Sequence, residues 1–282
     1  MSVIRSILIT GCSSGIGLCA AEGLAARGYR VFATARQSQD VAMLQTKGLE
    51  ALQLDLDDSA SIHAAVDAVL TRTGGRLDAL FNNAGYGQPG AVEDLSRDTL
   101  RAQFETNLFG MVELTNLILP VMRAQGAGRI IQNSSLLGYV ALAYRGAYNA
   151  SKYAIEGLTD TLRLELAGSG IQVSLIEPGP IASRFRANAF ERYQRHIDKT
   201  TSVHRAKYEA MERRLTKAGP AAPFTLPPEA VLKALIHALE SKQPRIRYRV
   251  TVPATLFIWC KRLLSDAMLD RVMSQVGKGE TK

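Results

Sequence analysis

The sequence predicts an α/β fold in which one doubly wound parallel sheet is covered by helices on both faces. Three observations carry this. Short, almost unbroken apolar runs recur along about the first 180 residues, as expected of strands buried on both sides. Between them lie patterned stretches long enough for crossover helices. The chain also has 282 residues, 46% apolar and 21% charged, which suits one large α/β unit and excludes wholesale disorder and fibrous repeats.

Taken in order, Val3–Ile9, Arg30–Ala35, Glu50–Leu54, Leu77–Phe81, Gly128–Asn133 and Ile171–Ile176 read as strands. Ser59–Arg72, Leu108–Gln125 and Ala147–Ala167 read as helices between them. Such a sheet binds ligands at the carboxyl ends of its strands. After Pro178 the rhythm changes. Segment 181–217 is basic and helical in pattern, and Gly219–Pro228 holds four prolines and reads as a connector. The stretch 181–226 is therefore expected to be a lid over the site rather than a second domain, leaving 1–282 as a single domain. Pro227-Pro228 should open a helix to about Leu239. Arg245–Val252 reads as a last strand, and Thr255–Val276, within a C-terminal extension at 253–276, as a closing amphipathic helix.

The net charge is +8, and it is uneven. Residues 184–217 contribute +6 and residues 244–282 contribute +5, so the rest of the chain is mildly acidic. That is not the profile of a nucleic-acid-binding domain, and no nucleic-acid partner is expected. Cys12, Cys19 and Cys260 cannot build a disulfide framework, which favours a cytoplasmic setting. His63, His196, His204 and His237 lack metal-ligand spacing, so no metal is expected. The N-terminus lacks the order of a signal peptide. No apolar stretch reaches the ~18 residues of a spanning helix.

The first strand runs into Thr10-Gly11-Cys12-Ser13-Ser14-Gly15-Ile16-Gly17. Glycines there let the backbone turn tightly and bring a diphosphate against the N–H groups of a helix N-terminus, as in Rossmann-type dinucleotide sites. The same letters spell the G-x-S-x-G of a serine hydrolase with Ser13 as nucleophile. Against that reading, the elbow would fall on the first strand, and Gly17 would have no purpose. About twenty residues beyond the last glycine, a site for NAD would present an acid to the ribose. Here the second strand ends in Ala35-Arg36, and an arginine forks onto a 2′-phosphate, so NADP(H) is the expected cofactor.

Of the nine tyrosines, only Tyr148 is followed four residues later by a lysine, Lys152. On a helix the two share a face. A phenol of pKa ~10 is a poor base near neutrality, and a fixed ammonium nearby favours its phenolate. Upstream, the fifth strand ends in Ser134-Ser135 on the carboxyl rim of the sheet.

With these residues in view the sequence resembles the short-chain dehydrogenase/reductase family over nearly all of residues 3–250. The match is carried by the turn Thr10-Gly11-x3-Gly15-Ile16-Gly17, Asp55, Asn82-Asn83-Ala84-Gly85, Asn107, Ser135, Tyr148-x3-Lys152 and Pro178-Gly179. The TGCSSGIG turn, the Ala-Arg after strand two and the extended C-terminus are most similar to the branch of 17β-hydroxysteroid and retinol dehydrogenases and bacterial aldehyde reductases. The resemblance implies a catalytic tetrad. Tyr148 would be the general acid in reduction and the base in oxidation. Lys152 would lower its pKa and bond the nicotinamide ribose. Ser135 would hold the substrate carbonyl oxygen, and Asn107 would hold a water linking Lys152 to solvent. Without the resemblance, Asn107 is only a poor helix former in mid-helix.

It also implies cofactor contacts from Gly11, Ser13, Ser14, Gly15, Ile16 and Gly17, and from Arg36. Asp55 and Leu56 would meet the adenine; Asn83, Ala84 and Gly85 would line its ribose. Pro178, Gly179 and Ile181 would carry the turn after strand six, where Ser183 stands in the place of the family's usual threonine. Asn83 reads equally as a turn residue stabilising strand four.

The expected substrate walls are Tyr86–Ala91, Leu136–Tyr144 and the lid, mostly apolar, favouring a small hydrophobic carbonyl or alcohol. The lid's basic residues leave reduction of a 3-oxoacyl carrier as a second substrate reading. A non-catalytic NADP(H)-binding sensor is the alternative of another class. In the tail, Leu256, Phe257, Leu263, Leu264, Met268 and Val272 form an apolar stripe near Trp259, Lys261 and Arg262. It reads as core or subunit contact, with peripheral membrane contact as the alternative. The resemblance implies a homodimer or homotetramer through the helices after strands four and five.

Overall fold

Ile7, Leu8 and Ile9 are consecutive and all inaccessible to solvent, which a strand achieves only when both of its faces are covered. The computed structural model describes residues 5–219 and 222–278, and among them it contains one sheet of seven parallel strands. These are β1 (Ser6–Ile9), β2 (Arg30–Ala35), β3 (Glu50–Gln53), β4 (Ala79–Asn82), β5 (Gly128–Asn133), β6 (Ile171–Pro178) and β7 (Arg247–Val250). Their spatial order is β3-β2-β1-β4-β5-β6-β7. The order reverses between β1 and β4, and a crevice for ligands opens at such a point.

Helices α1 (Gly15–Ala26), α2 (Ser38–Thr46) and α9 (Glu229–Glu240) cover one face of the sheet. There Ile7 and Ile9 pack with Leu24, Leu44 and Leu235. On the other face α3 (Ser59–Thr73) and α5 (Gly110–Gln125) bring Ile62, Leu114 and Ile118 against Leu8 and Phe32. The alternation of Ile7 and Ile9 with Leu8 between two cores follows from the two-residue period of a strand. On the face of α3 and α5, α6 (Gly146–Glu165) packs Ile155 against Leu175 of β6. Beyond the sheet lie α4 (Arg97–Phe104), α7 (Phe185–His196), α8 (Arg205–Thr216), α10 (Val252–Leu263) and α11 (Asp266–Lys278).

Several boundaries differ from the sequence expectation. The first strand starts at Ser6 among the described residues, and positions 3 and 4 lie outside them. The fourth strand runs from Ala79 rather than Leu77 and extends to Asn82. The helix expected from Leu108 begins at Arg97 as α4 and reaches α5 through a π-turn, Glu105–Phe109. The closing helix is two helices. Leu264 is extended (φ −91°, ψ 148°), and the Ser265 carbonyl takes the N–H groups of Met268 and Leu269 to restart the coil. Of the connector Gly219–Pro228, residues 220 and 221 lie outside the described set.

Candidate active site

The turn after β1 is shaped by close backbone approach. Gly11 and Gly15 have φ of 73° and 56°, a left-handed region that side-chain-bearing residues rarely enter. A Cβ on Gly17 would lie 2.2 Å from the Gly11 carbonyl oxygen and 2.7 Å from Asn83 Nδ2, so only glycine fits. Asn83 clasps this turn from the end of β4: its Nδ2 donates to the Thr10 carbonyl at 2.9 Å and to that of Gly11 at 3.2 Å. Thr10 Oγ1 returns the clasp by accepting the N–H groups of Asn83 and Ala84. The stabilising reading of Asn83 is thus observed. Ser14, the N-cap of α1, makes no side-chain capping bond. The first-turn N–H groups of α1, which have no partner within the helix, are left to an anion. The cradle fits a dinucleotide diphosphate.

The rim beyond β2 and β3 holds the expected adenosine residues. Arg36 is exposed, and its carbonyl accepts from Gln53 Nε2 at 3.0 Å. Asp55 is half-buried; one carboxylate oxygen accepts from Asp57 N–H, and Ser61 Oγ receives its own N–H. Leu56 is buried in the core beneath, and its carbonyl oxygen lies where a Cβ on Gly110 would sit.

The four tetrad residues are all buried. Lys152 Nζ donates to the Asn133 carbonyl at 2.7 Å and lies 5.7 Å from the centre of the Tyr148 ring. Burial lowers the Lys152 pKa to about 8, against a smaller upward pull from Glu156. Burial likewise raises the Tyr148 phenol above its usual range. The Ser135 hydroxyl, through a hydrogen bond, and Arg145 oppose that rise. The expected depression of Tyr148 by Lys152 is therefore not observed: desolvation dominates, and the acidifying partners are Ser135 and Arg145. Ser135 also accepts the Leu137 N–H, capping a short 3-10 turn, Leu136–Gly138.

Asn107 sits in the π-turn, a backbone irregularity common at functional sites. Its Oδ1 accepts the Tyr86 N–H at 3.0 Å, and its Nδ2 donates to the Tyr86 carbonyl at 2.9 Å and to Ser151 Oγ at 3.1 Å. This accounts for an asparagine deep in a helical run.

Downstream, the Gly179 N–H donates to Val250, and a Cβ on Gly179 would meet Thr251 Oγ1 at 2.1 Å. Ile181 bridges to Leu226 just beyond Pro180. Ser183 is exposed, its Cβ 2.8 Å from where a Cβ on Gly15 would sit. The segment Pro178–Ser183 thus closes one side of the glycine turn.

Helices α7 and α8 cap the cleft. Phe185 meets Tyr148 edge-on, ring centres 5.4 Å apart, and Arg192 lies 4.1 Å over the Tyr86 ring. Three of the cap's cations have structural partners: Arg186 donates to the carbonyls of Arg214 and Gly219, Lys199 pairs with Glu212, and Arg205 with Glu209. Tyr144, expected in the substrate wall, instead packs into the cap with Tyr193 and Tyr208, and its hydroxyl bonds His204. A positive φ of 61° turns it that way.

The tail supplies a wall that sequence reasoning missed. Ala254, Phe257, Leu264, Leu269 and Met273 pack with Leu136, Leu137, Val140, Phe185 and Tyr148. The expected single stripe divides accordingly: Phe257 and Leu264 face this cluster, whereas Leu256, Leu263 and Met268 are exposed.

None of the four histidines is hydrogen-bonded to Ser13 among the described residues. His63 pairs with Glu113, His204 with Tyr144 and Glu93, His237 with Tyr248, and His196 lies by Arg192 and Arg195 on α7. A Ser–His pair for the hydrolase reading is therefore not formed.

Residues 5–194 match the family model described as short chain dehydrogenase. The chain is 41% identical over 269 residues to the uncharacterized oxidoreductase YbbO of Escherichia coli, covering 95% of this chain and 94% of that one. It is 34% identical over 260 residues to human 17-beta-hydroxysteroid dehydrogenase type 1, covering 87% and 77%. A short chain dehydrogenase/reductase of Burkholderia phymatum, solved in complex with NAD, superposes with a TM-score of 0.77 at 26% identity over 92% of each chain. By sequence and by fold, the chain belongs to the short-chain dehydrogenase/reductase family of nicotinamide-dependent oxidoreductases.

Proposed function

We propose that the protein is an NADP(H)-dependent oxidoreductase that moves hydride between nicotinamide and a hydrophobic carbonyl or alcohol of aldehyde, retinoid or steroid-like character. The observation that carries this is the buried Tyr148 phenol, with the Lys152 ammonium 5.7 Å from its ring centre and Ser135 near enough to lower its pKa, set among Leu136, Leu137, Val140 and Phe185. The bound nicotinamide supplies or accepts the hydride. In reduction, Tyr148 gives its proton to the carbonyl oxygen while the Ser135 hydroxyl donates to the same oxygen as negative charge develops there. A phenol raised by burial stays protonated near neutral pH, which is the form that carbonyl reduction uses. Lys152, anchored on Asn133, would hold the nicotinamide ribose hydroxyls, and Asn107 would order the proton path behind it. Helices α7 and α8 exclude water over the reacting centre. At the adenosine end, Arg36 receives the 2′-phosphate.

The test is a panel of retinal, steroid ketones, fatty aldehydes and acetoacetyl thioesters, followed at the NADPH absorbance band. Tyr148→Phe should lose turnover by ~10²-fold or more while still binding NADPH; activity within tenfold of wild type overturns the assignment. Arg36→Asp should shift preference from NADPH towards NADH, and unchanged NADPH affinity sinks the cofactor reading.

Two surfaces support further partners. Phe109, Leu158 and Leu164 are exposed on and beside α5 and α6, which fits a homodimer; Leu158→Arg should yield monomers in light scattering. On α10, Val252, Leu256, Trp259 and Leu263 are exposed at helical spacing, with the Arg262 guanidinium 5.8 Å from the Trp259 ring. That stripe fits peripheral contact with an anionic membrane surface, and Trp259→Ala should abolish co-sedimentation with anionic vesicles. No helix among the described residues is long and apolar enough to cross a membrane. Three free cysteines fit a cytoplasmic setting.

A further inference from the structure

One buried carboxylate stands beside the catalytic cluster with no part in the mechanism above. Glu156 lies one helical turn beyond Lys152 on α6 and is 9% exposed. At that spacing the two side chains share a face of the helix. On its other side Glu156 touches the substrate loop. A Cβ on Gly138 would meet Glu156 Cγ at 2.9 Å, Glu156 Oε1 at 3.2 Å and Ser134 Oγ at 2.9 Å. The loop's glycine is thus seated directly on this carboxylate, three residues after Ser135.

Arg247, arriving from β7, fixes the group: its Nη2 and Nε donate to Glu156 Oε2 at 3.2 and 3.3 Å. Arg247 is itself held by Asp160 at 2.6 Å and by Glu177 at 2.9 Å. A carboxylate this buried costs free energy unless its charge does something. The groups that face it are Lys152 and Asp160 on its own helix, Ser134 on the loop, Arg247 on β7 and Glu177 on β6. Among the described residues, Glu156 is the one acid that acts on Lys152, whose Nζ donates to a neutral carbonyl.

We propose that Glu156 is a positioning residue for hydride transfer, holding Lys152 as an ammonium and bracing the loop that carries Ser135, with Arg247 locking the carboxylate between the two. The inference rests on the assignment of Tyr148 and Lys152. Glu156 opposes the burial of the lysine: burial draws the Lys152 pKa down to about 8, and the carboxylate pulls it back up. Without that charge the ammonium is lost at lower pH, and with it the grip on the ribose.

The experiment measures NADPH dissociation constants by cofactor fluorescence from pH 6.5 to 9.5, alongside kcat for reduction. In Glu156→Gln, affinity at pH 7 should stay within about twofold of wild type. By pH 8.5 it should fall by about three- to tenfold, since one pH unit in the lysine is a factor of ten. The alkaline limb of kcat should move down with it. Glu156→Asp keeps the charge and should leave the limb in place. Should Glu156→Gln strand Arg247 and fail to fold, the neutral pair Glu156→Gln with Arg247→Gln makes the same measurement. A merely structural glutamate would lower the melting temperature with no displacement of the limb, and that result overturns the proposal. Tyr148→Phe, run in parallel, separates the two readings: if it retains turnover, the catalytic assignment fails whatever Glu156 does.

Discussion

Lys152 Nζ donates to the main-chain carbonyl of Asn133 at 2.7 Å. The same Asn133 donates its side-chain amide to Asn83 Oδ1 at 2.9 Å, and Asn83 in turn holds the Thr10 and Gly11 carbonyls. One run of hydrogen bonds therefore ties the catalytic ammonium on α6 to the glycine turn after β1. The two halves of the proposed cofactor site are thereby linked by hydrogen bonds.

Lys152→Met should remove activity without removing the fold. It leaves the Asn133 carbonyl unpaired, at a cost of about 1–3 kcal/mol, but relieves the burial that draws the lysine pKa down to about 8. The two effects oppose, so stability at pH 7 should change by about 1 kcal/mol or less while turnover falls by ~10²-fold or more. The pH dependence has a definite sign. The folded pKa lies below the ~10.4 of an unfolded lysine, so the unfolded chain binds the extra proton between about pH 8 and 10. Wild-type stability should gain from this group as pH rises through that window, and Lys152→Met should lose the gain. Urea titrations at pH 7.5 and 9.5 measure it.

Gly17→Ala tests the cradle. The new methyl would stand 2.2 Å from the Gly11 carbonyl oxygen and 2.7 Å from Asn83 Nδ2, so the turn and its clasp must part. Overpacking of this kind typically costs about 1–3 kcal/mol. Because the displaced atoms form the diphosphate cradle, NADPH affinity should fall more than tenfold. An alanine variant that binds NADPH as well as wild type would show that the cofactor passes elsewhere.

Much of this site was legible because its signals are local. Gly11-x3-Gly15-x-Gly17 and Tyr148-x3-Lys152 work through spacings within one turn or one helix, and β2 and β5 begin and end where their apolar runs do. What escaped the sequence depends on tertiary position. The π-turn at Asn107 has no periodicity of its own, so α4 and α5 could not be seen as one interrupted helix. Leu263-Leu264 continues an apolar pattern across the break between α10 and α11, which hid the fold-back that sends Phe257 and Leu269 to the catalytic pocket. The direction of the Tyr148 shift was misjudged because a neighbouring ammonium is visible in sequence, whereas the depth of burial that outweighs it is not. Glu156 and Arg247 lie 91 residues apart, and only the packing of β7 beside β6 joins them.

Phe257→Ala tests whether the tail shapes the substrate site. Phe257 packs in the same apolar cluster as Leu137, Val140 and Tyr148. Truncating it should raise KM for bulky apolar carbonyls several-fold and leave small aldehydes nearly unaffected, since one side of the pocket loses ~1–3 kcal/mol of discrimination. Equal effects on large and small substrates would place the tail outside the pocket.

Glu177→Gln should separate the electrostatic cost of β6 from its packing. Glu177 is 1% exposed, with Arg247 Nε at 2.9 Å and Arg249 Nε at 3.2 Å. Even so its pKa is pushed up to about 7, because burial and the nearby Glu156 outweigh the two arginines. An unfolded glutamate titrates near 4.3. The folded chain therefore holds the extra proton between the two values, and stability from this group is full below about pH 4 and is lost as pH rises through 7. Glutamine carries no such titration. Near pH 4 the variant and wild type should be closest, and by pH 5 wild type has begun to lose ground because its unfolded chain is already largely ionised. By pH 8 the variant should have gained on wild type by an amount of the order of 3 kcal/mol, consistent with the general finding that a buried ion pair is a weak source of stability. Denaturant titrations at pH 5, 6.5 and 8 read the difference directly. A difference that stays constant across that range would mean that Arg247 and Arg249 keep Glu177 ionised throughout, and that the carboxylate is held by its partners more strongly than burial opposes it.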